Sequence, residues 1–161
     1  MSVNSQNFAV AAGPAVTVIA PQTVASAGAT NSSAVDLESV PAAEEVGFTV
    51  LAGTLGASGT LALKIQGSAN NSNWYDITGA ALTVSAAQFA AGLTAPNLSI
   101  GRSLLQSLLY AAQAVDCRYV RLVATTSAAN ATIAAVYHPF QLKQQPAEGK
   151  VNGTDFLAMS N

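Results

Sequence analysis

The chain has 161 residues, of which 50% are hydrophobic and only 9% charged, and its formal net charge is −2. A soluble domain carries about a quarter of its residues as Asp, Glu, Lys or Arg, so a surface this bare is matched to burial in a membrane or against other protein. Six Lys and Arg are too few for the phosphate neutralisation on which nucleic-acid binding depends, which argues against a DNA or RNA partner.

The first side-chain charge is Asp36. The apolar stretch over residues 9–20 is broken by Gly13-Pro14 and stops at Pro21, short of the roughly 20 residues of a spanning helix. No Lys or Arg precedes it, unlike a secretory leader. The expectation is therefore no membrane and synthesis in a host cytoplasm, where a single cysteine, Cys117, also fits a reducing compartment. Ala15-Val16-Thr17-Val18-Ile19 has strong β character and no charged gatekeeper, a hazard if exposed. Two readings follow. Residues 1–33 are an extended N-terminal arm that adds a strand to a neighbouring chain, with Phe8, Val16, Val18 and Ile19 as its capsid or subunit contacts. Alternatively, the segment is the first strand of the chain's own sheet.

Residues 34–140 read as an all-β domain, because short Val-, Thr-, Ile- and Leu-rich runs recur between Gly, Ser, Asn and Pro clusters. The clearest strands are expected at residues 46–52, 59–66, 74–78, 119–126 and 131–137. In Leu61-Ala62-Leu63-Lys64-Ile65-Gln66 the odd positions are apolar and the even ones polar or small, the alternation of a strand with one buried face. Residues 127–130 have the composition of a hairpin turn. Leu104, Leu105, Leu108, Leu109 and Ala112 recur at helical spacing, so residues 103–114 form either a short amphipathic helix with Ser103 near its N-cap or a β-edge loop. Residues 141–161 read as an extended C-terminal tail ending in Phe156-Leu157-Ala158-Met159.

Chemistry-bearing residues are sparse. The lone histidine, His138, lacks an oriented partner in sequence, and Cys117 reads as a small apolar residue at a strand start. Phosphate-loop, serine-hydrolase, zinc-protease and paired-cysteine motifs are absent from the sequence. Asp36, Glu38, Glu44 and Glu45 form an acidic group whose spacing matches no calcium loop and reads as a solvated turn. Asn70-Asn71-Ser72-Asn73 reads as a hairpin tip or a sugar-touching loop. Trp74 is expected in the structural core together with Tyr119, unless it is an exposed sugar platform. Arg118 and Arg121 are expected to pair with Asp76, Asp116 or a neighbouring subunit's acid. No catalytic, cofactor-binding or metal site is expected.

The block Leu63-Lys64-Ile65-Gln66-Gly67-Ser68, the polar run Ala69 to Asn73, and Trp74-Tyr75-Asp76-Ile77 resemble a recurring β-sandwich pattern. In that pattern a strand ends in Gln-x-Ser, a polar hairpin follows, and Trp-x-Asp-Val/Ile comes next. Cys117-Arg118-Tyr119-Val120-Arg121-Leu122-Val123 resembles its partner strand. Over residues 46–137 the chain is thus similar to discoidin-like jelly-roll modules that bind carbohydrate or lipid, and to small tailed-bacteriophage virion proteins, including capsid decoration (cement) and head-fibre proteins. Ala69-Asn70-Asn71 stands where discoidin-like hairpins carry Asp-Gly, and their two-cysteine bracket is missing, so the virion group is the better fit. The resemblance implies a jelly-roll-like antiparallel β-sandwich that is not an enzyme. It implies a homo-oligomer, a trimer, bound to the major capsid protein on the outer capsid surface of a virion. A tail or fibre-attachment component and a carbohydrate-binding module are the alternatives.

Overall fold

The computed structural model describes residues 15–39, 43–127 and 129–142. These residues build an antiparallel sandwich of two sheets, as the sequence pattern and the resemblance led us to expect. Sheet A runs in the order β1 (Val16–Val24), β9 (Ala131–Leu142), β4 (Ala43–Leu55), β7 (Asn97–Gly101). Sheet B runs β2 (Ala29–Asn31), β8 (Tyr119–Thr126), β5 (Thr60–Ser68), β6 (Tyr75–Ser85), with β3 (Val35–Asp36) also paired to β8. The chain changes sheet at almost every connection. Among neighbours in sequence, only β5 and β6 pair as a hairpin in the described residues.

Side-chain alternation sets the layers. Leu61, Leu63 and Ile65 of β5 point inward while Lys64 and Gln66 point out, as the sequence predicts. Val46, Phe48, Val50 and Ala52 of β4 meet Ala131, Ile133, Ala135 and Tyr137 of β9 in the same core. The Phe48 and Tyr137 rings lie 5.5 Å apart at 56°, a tilted contact favoured by the ring quadrupoles. Each fully buried side chain of this size contributes about 1.5–3 kcal/mol before ordering costs.

Residues 16–31 belong to this sandwich, so the boundary expected at residue 33 moves. β1 pairs with β9, and β2 pairs with β8. Val18, Ile19 and Val24 are buried in the chain's own core, Ile19 to 2% exposure. Of the two readings of this segment, residues 16–24 follow the second. Phe8 and the C-terminal anchor at residues 156–159 lie outside the described residues, and β9 runs to Leu142, two residues past the expected end of the domain at residue 140.

Two helices join the strands, the first beside β6 and the second against β4 and β7 of sheet A and β6 of sheet B. α1 (Ala86–Ala90) starts with a full capping box, in which Ser85 and Gln88 satisfy each other's backbone N–H groups. α2 (Arg102–Gln113) buries Leu105 and Leu109, so the helical spacing is realised. Its N-cap is Gly101 rather than Ser103, and no side chain caps it. Gln106 fastens α2 to the start of β8, accepting from the Cys117 backbone N–H at 2.9 Å and donating to Asp116 at 2.7 Å. Residues 127–130, expected to be a hairpin turn, instead carry the chain from sheet B to sheet A.

β6 is longer than predicted because a wide irregularity interrupts its register. Lys64 pairs with Ala81 and Gln66 with Asp76, so residues 77–80 lie opposite Ile65 alone. Gly79 adopts φ +83° there, a conformation costly for any residue with a Cβ. The irregularity turns both Ile77 and Ala80 into the core.

Candidate interaction face

The outer face of sheet B carries the charged side chains Lys64, Asp76 and Arg121. Lys64 and Gln66 project from β5, Asp76 from β6, and Tyr119 and Arg121 from β8. Asp76 is the shared acceptor of β5: Lys64 Nζ lies 2.8 Å from one carboxylate oxygen and Gln66 Nε2 2.6 Å from the other. These bonds hold the Asp76 carboxyl below the usual carboxylate range, the Lys64 bond first and the Gln66 bond second. Gln66 then turns its carbonyl oxygen to Arg121 and accepts from Nε at 2.8 Å. The Arg121 guanidinium is laid over Trp74, with Cζ 4.3 Å from the ring centre.

Trp74 and Tyr119 are therefore half-buried residues of this outer face, not core residues as expected. The phase of β8 gives the reason. Val120, Leu122 and Ala124 point inward, which sends Tyr119 and Arg121 outward together. The core aromatics are Phe48 and Tyr137 instead.

A second cluster sits at the β3 edge. Arg118 holds Asp36 at 2.9 Å and Glu38 at 3.1 Å, and its Cζ lies 5.1 Å from the Tyr119 ring centre. The Arg118 hydrogen bond is the leading cause that lowers the Asp36 pKa. Half of the acidic group thus forms an exposed turn, as expected, closed by the Ser39 N–H donating to the Asp36 carbonyl at 3.0 Å, and from it clamps a distant arginine. Arg118 was expected to use Asp76, Asp116 or a neighbouring subunit's acid, but Asp76 is engaged by Lys64 and Asp116 by Gln106. Such exposed pairs contribute about 0–1 kcal/mol each, so they organise the face more than they stabilise the fold.

The Asn70–Asn73 loop is a self-satisfied hairpin tip. Asn70 Oδ1 accepts from the backbone N–H of Ser72 at 3.0 Å and of Asn73 at 2.9 Å, an Asx turn. Asn71 takes the left-handed φ of 59° that asparagine tolerates. Arg121 covers one face of Trp74 and the Asn70 side chain is committed to the turn, so the loop follows the hairpin-tip reading of the two.

Cys117 and His138 are not brought together. Cys117 is buried beside Gly67 and Leu109 under sheet B, and burial pushes its thiol up to about 11. His138 stands on sheet A opposite Gly47. Among the described residues no three His, Cys, Asp or Glu side chains gather as a metal set, and no helix is long and apolar enough to cross a membrane.

The outer face of sheet A has the opposite character. Thr17, Thr49, Leu51, Asn97, Ser99, Thr132, Ala134 and Val136 occupy it, with Glu45 and His138 toward one end. Leu51 is 52% exposed, and Val16, at the start of the edge strand, 50%. Of the four residues expected to touch a capsid or subunit, Val18 and Ile19 are thus used internally, and Val16 is available. The sequence alone missed the Arg118 clamp, since Asp36 and Arg118 are 82 residues apart. It also missed α1, although Ser85-Ala86-Ala87-Gln88 carried a capping-box signature.

No family model and no curated protein matches the sequence. Among solved structures, the fold is similar to the PBSX exported protein XepA, with a TM-score of 0.53 and 17% identity over 87% of this chain. The chain spans 40% of that protein. Looser overlaps are found with the C-terminal family 22 carbohydrate-binding module of Clostridium thermocellum Xyn10B (TM-score 0.41, 14% identity, 84% of this chain and 86% of that one). Desmodium yellow mottle tymovirus overlaps more loosely still (TM-score 0.34, 9% identity, 84% and 93%). At these identities the likeness is one of fold.

Proposed function

We propose that the chain is a non-enzymatic structural protein of a tailed-bacteriophage virion, a decoration protein bound to the major capsid protein on the outside of the capsid. The observation that carries this reading is the segregation of charge between the two faces. Sheet A offers an outer surface of mostly small uncharged side chains with Leu51 exposed and Glu45 and His138 confined to one end, a surface that loses little hydration energy when another protein covers it. Sheet B displays ordered ion pairs and two aromatics, the mixture found at polar, specific contacts. The similarity in fold to a phage exported protein agrees with the reading, as does the resemblance of residues 63–77 and 117–123 to phage virion proteins.

In mechanism, sheet A packs copy against copy in a homo-oligomer, a trimer where the protein occupies threefold capsid positions. Residues 1–14, which carry no charge, reach a neighbouring copy or the lattice from the start of β1. Burial of Phe8 alone would contribute about 1.5–3 kcal/mol, and repetition across the lattice multiplies weak contacts into avidity. Sheet B then meets the capsid protein. Cys117, in the loop before β8, and His138, on β9, form no nucleophile–base pair with each other, which supports a binding role over a catalytic one.

Co-sedimentation with capsids of the source phage tests the reading, together with antibody labelling of negatively stained particles. Label over the capsid shell is the expected result. Label confined to the tail would move the protein to a fibre-attachment role, and absence from particles would overturn a virion role.

A further inference from the structure

One cation on the outer face of sheet B is not neutralised by any of the described residues. Lys64 is paired with Asp76, and Arg118 with Asp36 and Glu38. Arg121 has no carboxylate oxygen within ion-pair distance among the described residues. Asp76 acts on it only through space, because its two oxygens are engaged by Lys64 and Gln66. Partial burial further disfavours the Arg121 charge. The guanidinium is nevertheless held in place: Nε donates to Gln66, and Cζ lies over the Trp74 ring. Its two Nη groups donate to nothing among the described residues. A planar fork, oriented in advance and partly desolvated, is what bidentate carboxylate recognition needs.

We propose that Arg121, seated on Trp74, is the anchor for a carboxylate side chain of the capsid protein to which this face binds. The identity of the partner rests on the virion reading; the carboxylate chemistry rests on the fork alone. A protein acid fits better than an acidic polysaccharide, because Arg121 already covers one of the two Trp74 faces available for sugar stacking. Trp, Arg and Tyr together are also the side chains on which protein interfaces concentrate their affinity. The partner's acid must sit at Arg121 and away from the β3 edge, where Asp36 and Glu38 share the single charge of Arg118.

Trp74 is the only tryptophan of the chain, so its fluorescence reports on the site directly. The full-length protein is titrated with poly-L-glutamate, with poly-L-lysine and alginate in parallel, and the same preparations are co-sedimented with capsids. A saturable change in Trp74 emission with poly-L-glutamate is expected, weakened tenfold or more by Arg121→Gln and also by Arg121→Lys, which keeps the charge but loses the fork. Lys143→Gln, the same charge change elsewhere in the chain, should have no effect, and circular dichroism checks that each variant is folded. Equal response of wild type and Arg121→Gln overturns the anchor, and a preference for alginate overturns the protein partner. If poly-L-glutamate binds through Arg121 but capsids do not, the virion reading fails and the carboxylate anchor stands. If capsids bind wild type and Arg121→Gln equally, the virion reading stands and the anchor fails.

Discussion

The Arg121 guanidinium lies 4.3 Å above the centre of the Trp74 ring and is fixed there by Gln66. A cation over an aromatic face contributes about 0.5–2 kcal/mol, more as water is excluded. Arg121→Ala should therefore lower stability by about that amount in urea denaturation. It should also uncover the ring, so acrylamide should quench Trp74 more strongly in the variant. Unchanged quenching would mean that the stacking does not persist in solution.

Gly67 lies next to Gln66 on β5, facing inward. A Cβ at this position would come within 2.9 Å of Cys117 Sγ and 3.2 Å of both Ile77 Cδ1 and Leu109 Cδ2. All three side chains are buried, and overpacking in a filled core costs about 1–3 kcal/mol. Gly67→Ala should show that loss in chemical denaturation, whereas Gly53→Ala, whose Cβ would find its nearest neighbour at 3.8 Å, should cost much less. Equal losses would show that strand propensity, not the fit against α2, governs both sites.

The alternation of β5 and the helical spacing of α2 were legible in the sequence because each depends on local periodicity. The phase of β8 was partly legible. Arg121 cannot point into an apolar core, and Tyr119, two residues away, must share its face, so the expectation of a buried Tyr119 contradicted a signal already present. Other features depend on pairing between distant segments. Nothing near Asp36 announces Arg118, and nothing near Val16 tells whether its strand pairs with residues 131–137 of its own chain or with a neighbour. The irregularity at residues 77–80 broke the alternation that strand prediction relies on, which is why β6 was expected to stop at residue 78.

Alkaline pH should destabilise the fold through two buried acids. Burial raises the Cys117 thiol from 9.0 to about 11 and the Tyr137 hydroxyl from 10.0 to about 12. The folded state therefore keeps both protons after the unfolded chain has lost them. Stability is unaffected below pH 9, falls between about pH 9 and 12, and levels off above that. Two pK units correspond to about 2–3 kcal/mol per group. The Tyr137 hydroxyl has no hydrogen-bond partner among the described residues, so Tyr137→Phe should be neutral or slightly stabilising at pH 7 and should shrink the upper part of the alkaline loss. Urea midpoints measured from pH 7 to 11.5 check both statements. The same burial predicts that Cys117 reacts with Ellman's reagent at pH 8 only as fast as the protein opens.

Truncation separates the part of the N-terminal segment that builds the fold from the part available to a partner. Read as an arm, residues 1–30 should be removable without unfolding the sandwich. The structure reverses that expectation, since the cut removes β1 and most of β2 and takes Val18, Ile19 and Val24 out of the core. Losing a buried Ile or Val side chain costs several kcal/mol on mutational scales, and total domain stability is only about 5–15 kcal/mol. A chain lacking residues 1–30 should therefore fail to fold, with no cooperative thermal transition. A chain lacking residues 1–14 should keep the transition, because every pairing of β1 begins at Val16. If the capsid reading holds, this shorter truncation should co-sediment with capsids more weakly than the full chain. A folded product from the longer truncation would show that β1 is dispensable to the core it lines.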